Sequence, residues 1–564
     1  MSSSSSSLFQ SFITPSIIPF LCGCCELQQM ETWFIILISI FIAALLKAFI
    51  INLLFTSKNN KLPPGPFTFP VIGTLPWLVK SPLEVEQILR KLHAKFGPIV
   101  TIPSGHCPAI FIADRALAHK ALVQNGAVFA DRPPALPVLK TITKDQRNIS
   151  TGFYGPTWRL FRRNLTSEIL HPSRAGTYKR ARKWVLEVLL DRLKSESTSG
   201  GGDDHPIPVS VNDHLQYAMF CLLVLMCLGD KLDHDQIKLI ETVQRRRLQA
   251  FARFRLLDFC QTLTKIFLRK KWEELFRSLK DQENTLFPLI RARKKAREEW
   301  LSKKANHQQH ADEEEYVLSY ADTLFDLRLP DHENRKLNEE EIYTLCSEFL
   351  TAGTDTTSAA LQWIMANMVK YPRVQEKLYM EIKGVVGNGE EEDEVKEEKL
   401  QNIPYLKAVV LEGLRRHPPG HFLLPHAVTE DFTLDGYLIP KNATINFMVA
   451  EMGLDPKVWE DPMAFQPERF LSAENGRVED FDITGSKEIK MMPFGAGRRI
   501  CPGLGFSMLH LEYFVANLVW CFEWKAVDGD EIDFSEKQEL STMMKNPLRA
   551  RISPRIRCKK VDVL

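Results

Sequence analysis

The stretch Phe494-Gly495-Ala496-Gly497-Arg498-Arg499-Ile500-Cys501-Pro502-Gly503 sets one thiol between turn-forming glycines and a helical pattern that begins near Leu504. A cysteine just ahead of a helix N-terminus meets the positive end of the helix dipole. That field lowers the thiol pKa and favours the thiolate, the form that binds a metal. Gly497 and Gly503 would permit tight turns and bring backbone amides close to the sulfur. The chain holds 11 cysteines, densest at Cys22, Cys24 and Cys25 and too sparse for a disulfide scaffold, so a reducing compartment fits. Cys221, Cys227, Cys346 and Cys521 read as ordinary buried core residues.

Three other groupings carry chemistry. Ala352-Gly353-Thr354-Asp355-Thr356-Thr357 falls in the middle of a helix predicted from Asn338, an N-cap with Glu341 completing a capping box, to about Tyr371 before Pro372. Gly and clustered Thr are weak helix formers whose hydroxyls bond back to the carbonyl four residues earlier, which would open the ladder and mark a site. Glu412 and Arg415 share a helix face, and Arg469 of Pro467-Glu468-Arg469-Phe470 can join them. Such a network fixes an arrangement more than it adds net stability. Trp158-Arg159-Leu160-Phe161-Arg162 puts an aromatic and a cation one helical turn apart.

In this order the motifs resemble those of the cytochrome P-450 family over roughly residues 30–555, with the strongest likeness to plant microsomal members of family 89, subfamily A. Phe494, Gly497, Arg499, Cys501 and Gly503 match the family's haem-thiolate loop, a match that average residue usage makes a chance event of about 10⁻⁴. The resemblance implies haem b, iron protoporphyrin IX, with Cys501 as axial thiolate and Phe494 shielding the sulfur. It implies that Arg499, Trp158 and Arg162 hold propionates. His426 stands where many members carry Arg, and Leu454 of Gly453-Leu454-Asp455-Pro456 is a second departure. Glu412, Arg415 and Arg469 match the family's buried ion network.

Thiolate ligation favours O–O cleavage, so the expected activity is that of a monooxygenase. Asp355 and Thr356 would be the acid and alcohol that relay protons to dioxygen, and Gly353 would leave room for it. Haem-thiolate isomerases and dehydratases do not need that pair, nor does a non-catalytic haem-binding membrane protein. By family position the pocket draws on residues 133–149, 246–255, 346–353, 420–424 and 542–546. Phe251, Phe254, Phe422, Leu423, Met543 and Met544 lead to an expected apolar site for a small hydrophobic substrate. The chain has no Gly-rich dinucleotide fingerprint in a strand-to-helix setting, so electrons would come from an NADPH-cytochrome P-450 reductase partner. Arg159, Arg162 and Arg163 would face its acidic surface.

The elements that must position these residues are mostly helical, with strand-like pieces at 99–102, 109–112 and 443–447. The expected fold is mainly α with small β-sheets, a cytochrome P-450 fold behind an N-terminal transmembrane helix. With 72 basic and 70 acidic residues the net charge is +2, which excludes bulk nucleic-acid binding. Residues 33–55 are apolar enough to span about 34 Å as a helix. Lys58 and Lys61 follow the span, while no Lys or Arg precedes it, so the body is expected in the cytosol, anchored in the endoplasmic reticulum membrane with its N-terminus lumenal. The expected organisation is an extension at 1–29, a signal anchor at 30–57, a proline-rich hinge at 58–70 and the catalytic domain at 71–564. The sequons at Asn148, Asn164 and Asn442 would then go unglycosylated. The Ser/Gly-rich residues 195–204 and the acidic residues 388–399 read as solvated connections.

Overall fold

The computed structural model describes residues 62–66 and 80–555 except 103–106, 199–206, 259–260, 306–315, 331–333, 388–392, 473–480 and 530, with six helical positions between 35 and 43. Of the expected membrane span only those six positions are described, and most of the hinge lies outside the described residues. The described part of the hinge packs on the body. Pro64 accepts a hydrogen bond from Thr101 N at 2.8 Å, and a Cβ on Gly65 would lie 1.8 Å from the Thr101 carbonyl oxygen. Only glycine fits there.

In chain order the elements that build the site begin with α1 (Pro82–Phe96), β1 (Ile99–Ile102), β2 (Ala109–Ile112), α2 (Pro156–Asn164) and α3 (Lys179–Thr198). They continue with α4 (Val211–Leu228), α5 (His234–Arg253), α6 (Arg269–Ala305), α7 (Glu339–Lys370) and α8 (Pro404–Arg416). The last are β3 (His426–Ala427), β4 (Thr444–Phe447), α9 (Leu504–Cys521), β5 (Glu536–Gln538) and β6 (Thr542–Met544). The strand-like pieces of the sequence are thus real, and the fold is mostly helical.

α7 is the axis of the molecule. Asn338 caps it with the expected box, Glu341 N donating to Asn338 Oδ1 at 2.8 Å and Asn338 N to Glu341 Oε2 at 2.9 Å. It packs along α4, whose side chains are buried at nearly every position. α4 and α9 are long and apolar enough to cross a membrane, yet 94% and 67% of their apolar windows lie inside this core. A helix apolar on all sides belongs in the interior of a large domain.

One sheet has the strand order β1-β2-β4-β3, with β2 and β4 parallel in the register Ala109↔Thr444 to Ile112↔Phe447. β5 and β6 form an antiparallel hairpin. The acidic connection is only partly solvated. Arg182 on α3, with a fully buried side chain, pairs with Glu397 at 2.7 Å, and Tyr513 on α9 donates to Glu394 at 2.5 Å. Charges facing buried partners have a structural use that composition alone conceals.

Candidate active site

The Cys501 loop is held by its backbone. Cys501 N donates to Phe494 O at 2.8 Å, and Gly497 has φ +69° with its absent Cβ only 1.9 Å from the Leu122 carbonyl oxygen. Gly497 therefore meets its expectation: left-handed backbone and a close approach both require it. Gly503 does not. Its φ is −89° and a Cβ would meet nothing nearer than 3.8 Å, so its contribution is its amide, which hydrogen-bonds the sulfur. Phe494 is half-buried against the main core.

The expected low thiol pKa is also corrected. Burial pushes the Cys501 thiol up, and the Gly503 amide with the Arg162 charge pulls it down only in part. A cation bonded to the sulfur is what makes a thiolate in such surroundings. Among the described residues no group of three or more His, Cys, Asp or Glu is placed to hold a metal ion. A metal at Cys501 has to arrive with other ligands of its own, as porphyrin iron does.

Around the loop lies a concentration of positive charge. Arg499 donates to the carbonyls of Ala130 (2.7 Å), Ile149 (3.2 Å) and Gly152 (2.7 Å). Arg132, a residue the sequence did not single out, is 7% exposed and donates to Ser150 O (2.8 Å), Leu424 O (2.7 Å) and Pro425 O (2.8 Å). Desolvation, then the Arg499 charge, pull Arg132 down to about 9, against a weaker opposing pull from Asp131. Burial likewise lowers Arg499 to about 10. Guanidiniums crowded so that Arg499 depresses Arg132 and Arg162 depresses Arg499 fit an anionic partner, and the two carboxylates of a haem would supply one.

Trp158 and His426 each spend a ring N–H on a backbone carbonyl. Trp158 Nε1 donates to Ile149 O at 2.9 Å, which uses its only donor. Its ring instead supports cations, with Arg499 4.2 Å and Arg162 5.9 Å from its centroid. Arg162 reaches the Ile500 carbonyl, beside the cysteine. His426 Nδ1 donates to Phe129 O at 2.7 Å, and burial with the Arg132 charge pulls its pKa down to about 3. Its remaining nitrogen is then an acceptor at neutral pH and offers nothing to a carboxylate. Arg132 supplies the positive charge that His426 lacks.

On α7 the hydroxyls bond back as expected, Thr354 to Leu350 O at 2.8 Å and Thr356 to Ala352 O at 2.7 Å. The ladder nevertheless stays closed, since α7 is one unbroken α-helix from Glu339 to Lys370. Ala352 is exposed and Thr356 half-buried, four residues apart on a helix otherwise packed into the core. Gly353 serves packing: its Cβ would sit 2.7 Å from Leu223 Cδ1 of α4. The expected space for dioxygen is not on that face. Glu348, one turn before Ala352, accepts from the amides of Ile149 (2.9 Å) and Ser150 (2.6 Å), tying α7 to the segment that carries the Arg132 and Arg499 contacts.

Asp355 borders a partly open cavity of about 680 Å³ lined by α4, α5, α7 and the β5–β6 hairpin. Burial raises its carboxyl to about 6, partly offset by Arg245. Met543 and Met544 line this cavity. Phe422 and Leu423 do not: Phe422 stacks edge-on against Phe111 at 6.4 Å, and Leu423 lies against Gly495. The lining is also more polar than its methionines predicted, with Asn212, Gln216, Arg245 and Gln362 on its walls. These come from three helices, α4, α5 and α7, so no one run of sequence announced them.

The ion network forms as expected. Arg415 donates to both Glu412 oxygens, at 2.6 and 2.8 Å, and Arg469 reaches Glu412 Oε1 at 3.2 Å. Arg415 also donates to the carbonyls of Gly453 (2.8 Å), Pro462 (2.9 Å) and Ala464 (3.1 Å). Glu412 and Arg415 are fully buried.

This fold and this cysteine loop define a haem-thiolate protein, and the chain belongs to the cytochrome P450 family, whose profile matches residues 63–553. It is 50% identical over 92% of its length to cytochrome P450 89A9 of Arabidopsis thaliana, covering 99% of that protein. It is 28% identical to flavonoid 3'-monooxygenase of the same plant, over 89% of this chain and 93% of that one. Costunolide synthase of Cichorium intybus is 32% identical over 88% of this chain and 93% of that protein. A zebrafish cytochrome P450 solved with progesterone shares the fold at TM-score 0.66 and 19% identity, over 83% of this chain and 99% of that one. The chain is a plant-type cytochrome P450 monooxygenase.

Proposed function

We propose that this enzyme holds haem b through Cys501, takes electrons from an NADPH-cytochrome P450 reductase, and inserts one oxygen atom of dioxygen into a small organic molecule with a largely apolar body. The observation that carries the reading is the Cys501 sulfur beside the Arg132, Arg162 and Arg499 cluster: a metal-binding atom next to a place for two carboxylates. Bound there, thiolate-ligated haem supplies dioxygen activation and O–O cleavage.

The chain's own residues do the rest. Arg132 and Arg499 neutralise the propionates, while the Trp158 ring and the backbone carbonyls fix those guanidiniums in place. Asp355 Oδ, with its pKa near 6, can take up and release a proton close to neutral pH, as a relay group must. Thr356 Oγ1 carries the next proton, one residue along the same helix. Glu412, Arg415 and Arg469 keep α8 fixed to the segment that leads to the cysteine loop.

We place the enzyme on the endoplasmic reticulum membrane, with residues 30–57 as anchor, 58–70 as hinge and 71–564 as a cytosolic catalytic domain. The body offers apolar surface to a membrane as well: Leu263, Ile266 and Phe267 are 50%, 68% and 79% exposed on one short helix. Exposed Arg159, Arg163 and Arg498 near Cys501 suit an acidic reductase face. The test is spectroscopic. The reduced carbon monoxide complex should show the red-shifted Soret band of thiolate ligation, and Cys501→Ser should abolish it. An unchanged spectrum in that variant refutes the ligand assignment.

A further inference from the structure

The β5–β6 hairpin that walls one side of the cavity beside Asp355 is secured unevenly. β6 is tied by its backbone: Thr542 N donates to Pro419 O at 2.7 Å, and Trp363 Nε1 of α7 donates to Thr542 O at 2.9 Å. β5 reaches back to the body through Glu536, whose Oε2 lies 3.6 Å from His421 Nε2. The other ring nitrogen, His421 Nδ1, lies 2.7 Å from Glu86 Oε2 of α1. His421 is 5% exposed, and its carbonyl accepts from Val449 N, just past β4, at 2.8 Å. The ring is thus fixed between carboxylates from two remote elements. An imidazolium presents an N–H to each of them, whereas a neutral imidazole turns a lone pair on one.

The charges around the ring point the same way. α1 also brings Arg90, which pairs with Glu86 at 2.6 Å and with Glu451 at 2.5 Å. The segment leading to His421 brings Arg416, whose charge acts on Glu536, and His417. His417 stacks between Trp363 and Phe534, with centroids 4.2 and 5.6 Å away. Burial pulls it down to about 4, and its Nδ1, 3.8 Å from Glu536, makes no hydrogen bond. His93, further along α1, is lowered by burial too and donates to Gly97 O at 2.8 Å. Glu86, Glu451 and Glu536 therefore stand against Arg90, Arg416 and His421, balanced with His421 protonated and one positive charge short without it. Burial pulls the His421 imidazole down, but the hydrogen bond and charge of Glu86, then the charge of Glu536, more than reverse it and hold it above the ordinary 6.5.

We infer that His421 is a positioning residue for the cavity: as an imidazolium between Glu86 and Glu536 it latches the β5–β6 hairpin to α1, and loss of its proton frees β5. The latch is complete below the ordinary imidazole range and is lost as pH rises through the raised folded value. From about pH 6 to about pH 9 His421 is the member of this group that changes charge. Calling the wall it holds the substrate's rests on the monooxygenase reading; the latch itself does not.

The test is hydrogen–deuterium exchange, read by mass spectrometry on the haem-loaded full chain in detergent at about pH 6 and about pH 9, with rates corrected for the intrinsic effect of pH. Amides of residues 535–541 are expected to exchange about tenfold faster at the higher pH, on the scale of one charge-assisted hydrogen bond, while β2 stays unchanged as the reference strand. His421→Gln is expected to give the fast rate at both values, and His421→Lys, which keeps a cation in place, the slow rate at both. Glu86→Gln is a further variant should these fold poorly; it is expected to move the step to lower pH, because the nearer carboxylate no longer holds the proton. No step in the wild type, a step that survives His421→Gln, or His421→Lys as fast as His421→Gln overturns the inference. The carbon monoxide spectrum of the same samples separates the two readings. A thiolate band without the step sinks this inference alone; the step without a thiolate band sinks the catalytic reading alone.

Discussion

Removing the charge of Glu412 should destabilise the fold far more than breaking an ion pair of the same length at the surface. Glu412 accepts four hydrogen bonds, from Arg415 Nε and Nη2, from Gln466 N at 2.8 Å and from Arg469 Nε. Its side chain and that of Arg415 are 0% exposed, and that of Arg469 is 10% exposed. Glu412→Gln leaves two guanidiniums in a low-dielectric interior with no carboxylate to balance them, a loss of about 3–5 kcal/mol. That is a large share of the roughly 5–15 kcal/mol available to a folded domain. Lys377 and Glu468 meet at 2.7 Å but are 51% and 54% exposed, so Lys377→Ala should cost less than about 1 kcal/mol. The assay is urea unfolding followed by tryptophan fluorescence, to which Trp459, 5.4 Å from the Arg415 guanidinium, contributes a local signal. A Glu412→Gln midpoint that matches Lys377→Ala, at an unchanged denaturant slope, would refute the claim that burial decides the strength of these pairs.

Asp355 should reduce stability at neutral pH. Its folded pKa, near 6, is above the unfolded value, so the cost is absent below about pH 4 and complete above about pH 6. Asp355→Asn should then gain up to about 3 kcal/mol at pH 7 and nothing at pH 4, read from unfolding midpoints across pH. Gly497→Ala would place a Cβ 1.9 Å from the Leu122 carbonyl oxygen at φ +69°; purified protein should lack haem absorbance, whereas Gly503→Ala should keep most of it. Thr356→Ala should retain haem and divert NADPH electrons to hydrogen peroxide, and a peroxide yield equal to wild type would count against the relay.

Chemistry written into one short run of residues was legible in the sequence. The cysteine loop, the Glu412-to-Arg415 spacing and the capped helix from Asn338 each depend on neighbours a few positions away, and each folds as expected. What depended on distant partners was not legible. Arg132 sits between an aspartate and two prolines with no motif around it, and its meaning comes only when the 149–152 and 424–425 carbonyls converge on it. The family resemblance implies a propionate contact for Trp158, but its N–H is used by the Ile149 carbonyl, which a loop brings alongside. Gly353 was read as space for a small molecule, whereas Leu223 of another helix occupies that side. The polar cavity was missed for the same reason: Asn212, Gln362 and the β5–β6 hairpin come together from three remote parts of the chain.

The parallel pairing of Ala109–Ile112 with Thr444–Phe447 also has a cost during synthesis. A ribosome releases the first of these strands on the order of tens of seconds before the second. Throughout that interval an apolar edge has no mate, and Gly497 has no Leu122 carbonyl settled in its final place to press against. Cofactor capture must therefore be among the last events of maturation. Cells making this enzyme should depend on chaperones in proportion to how slowly the final fifth of the message is read.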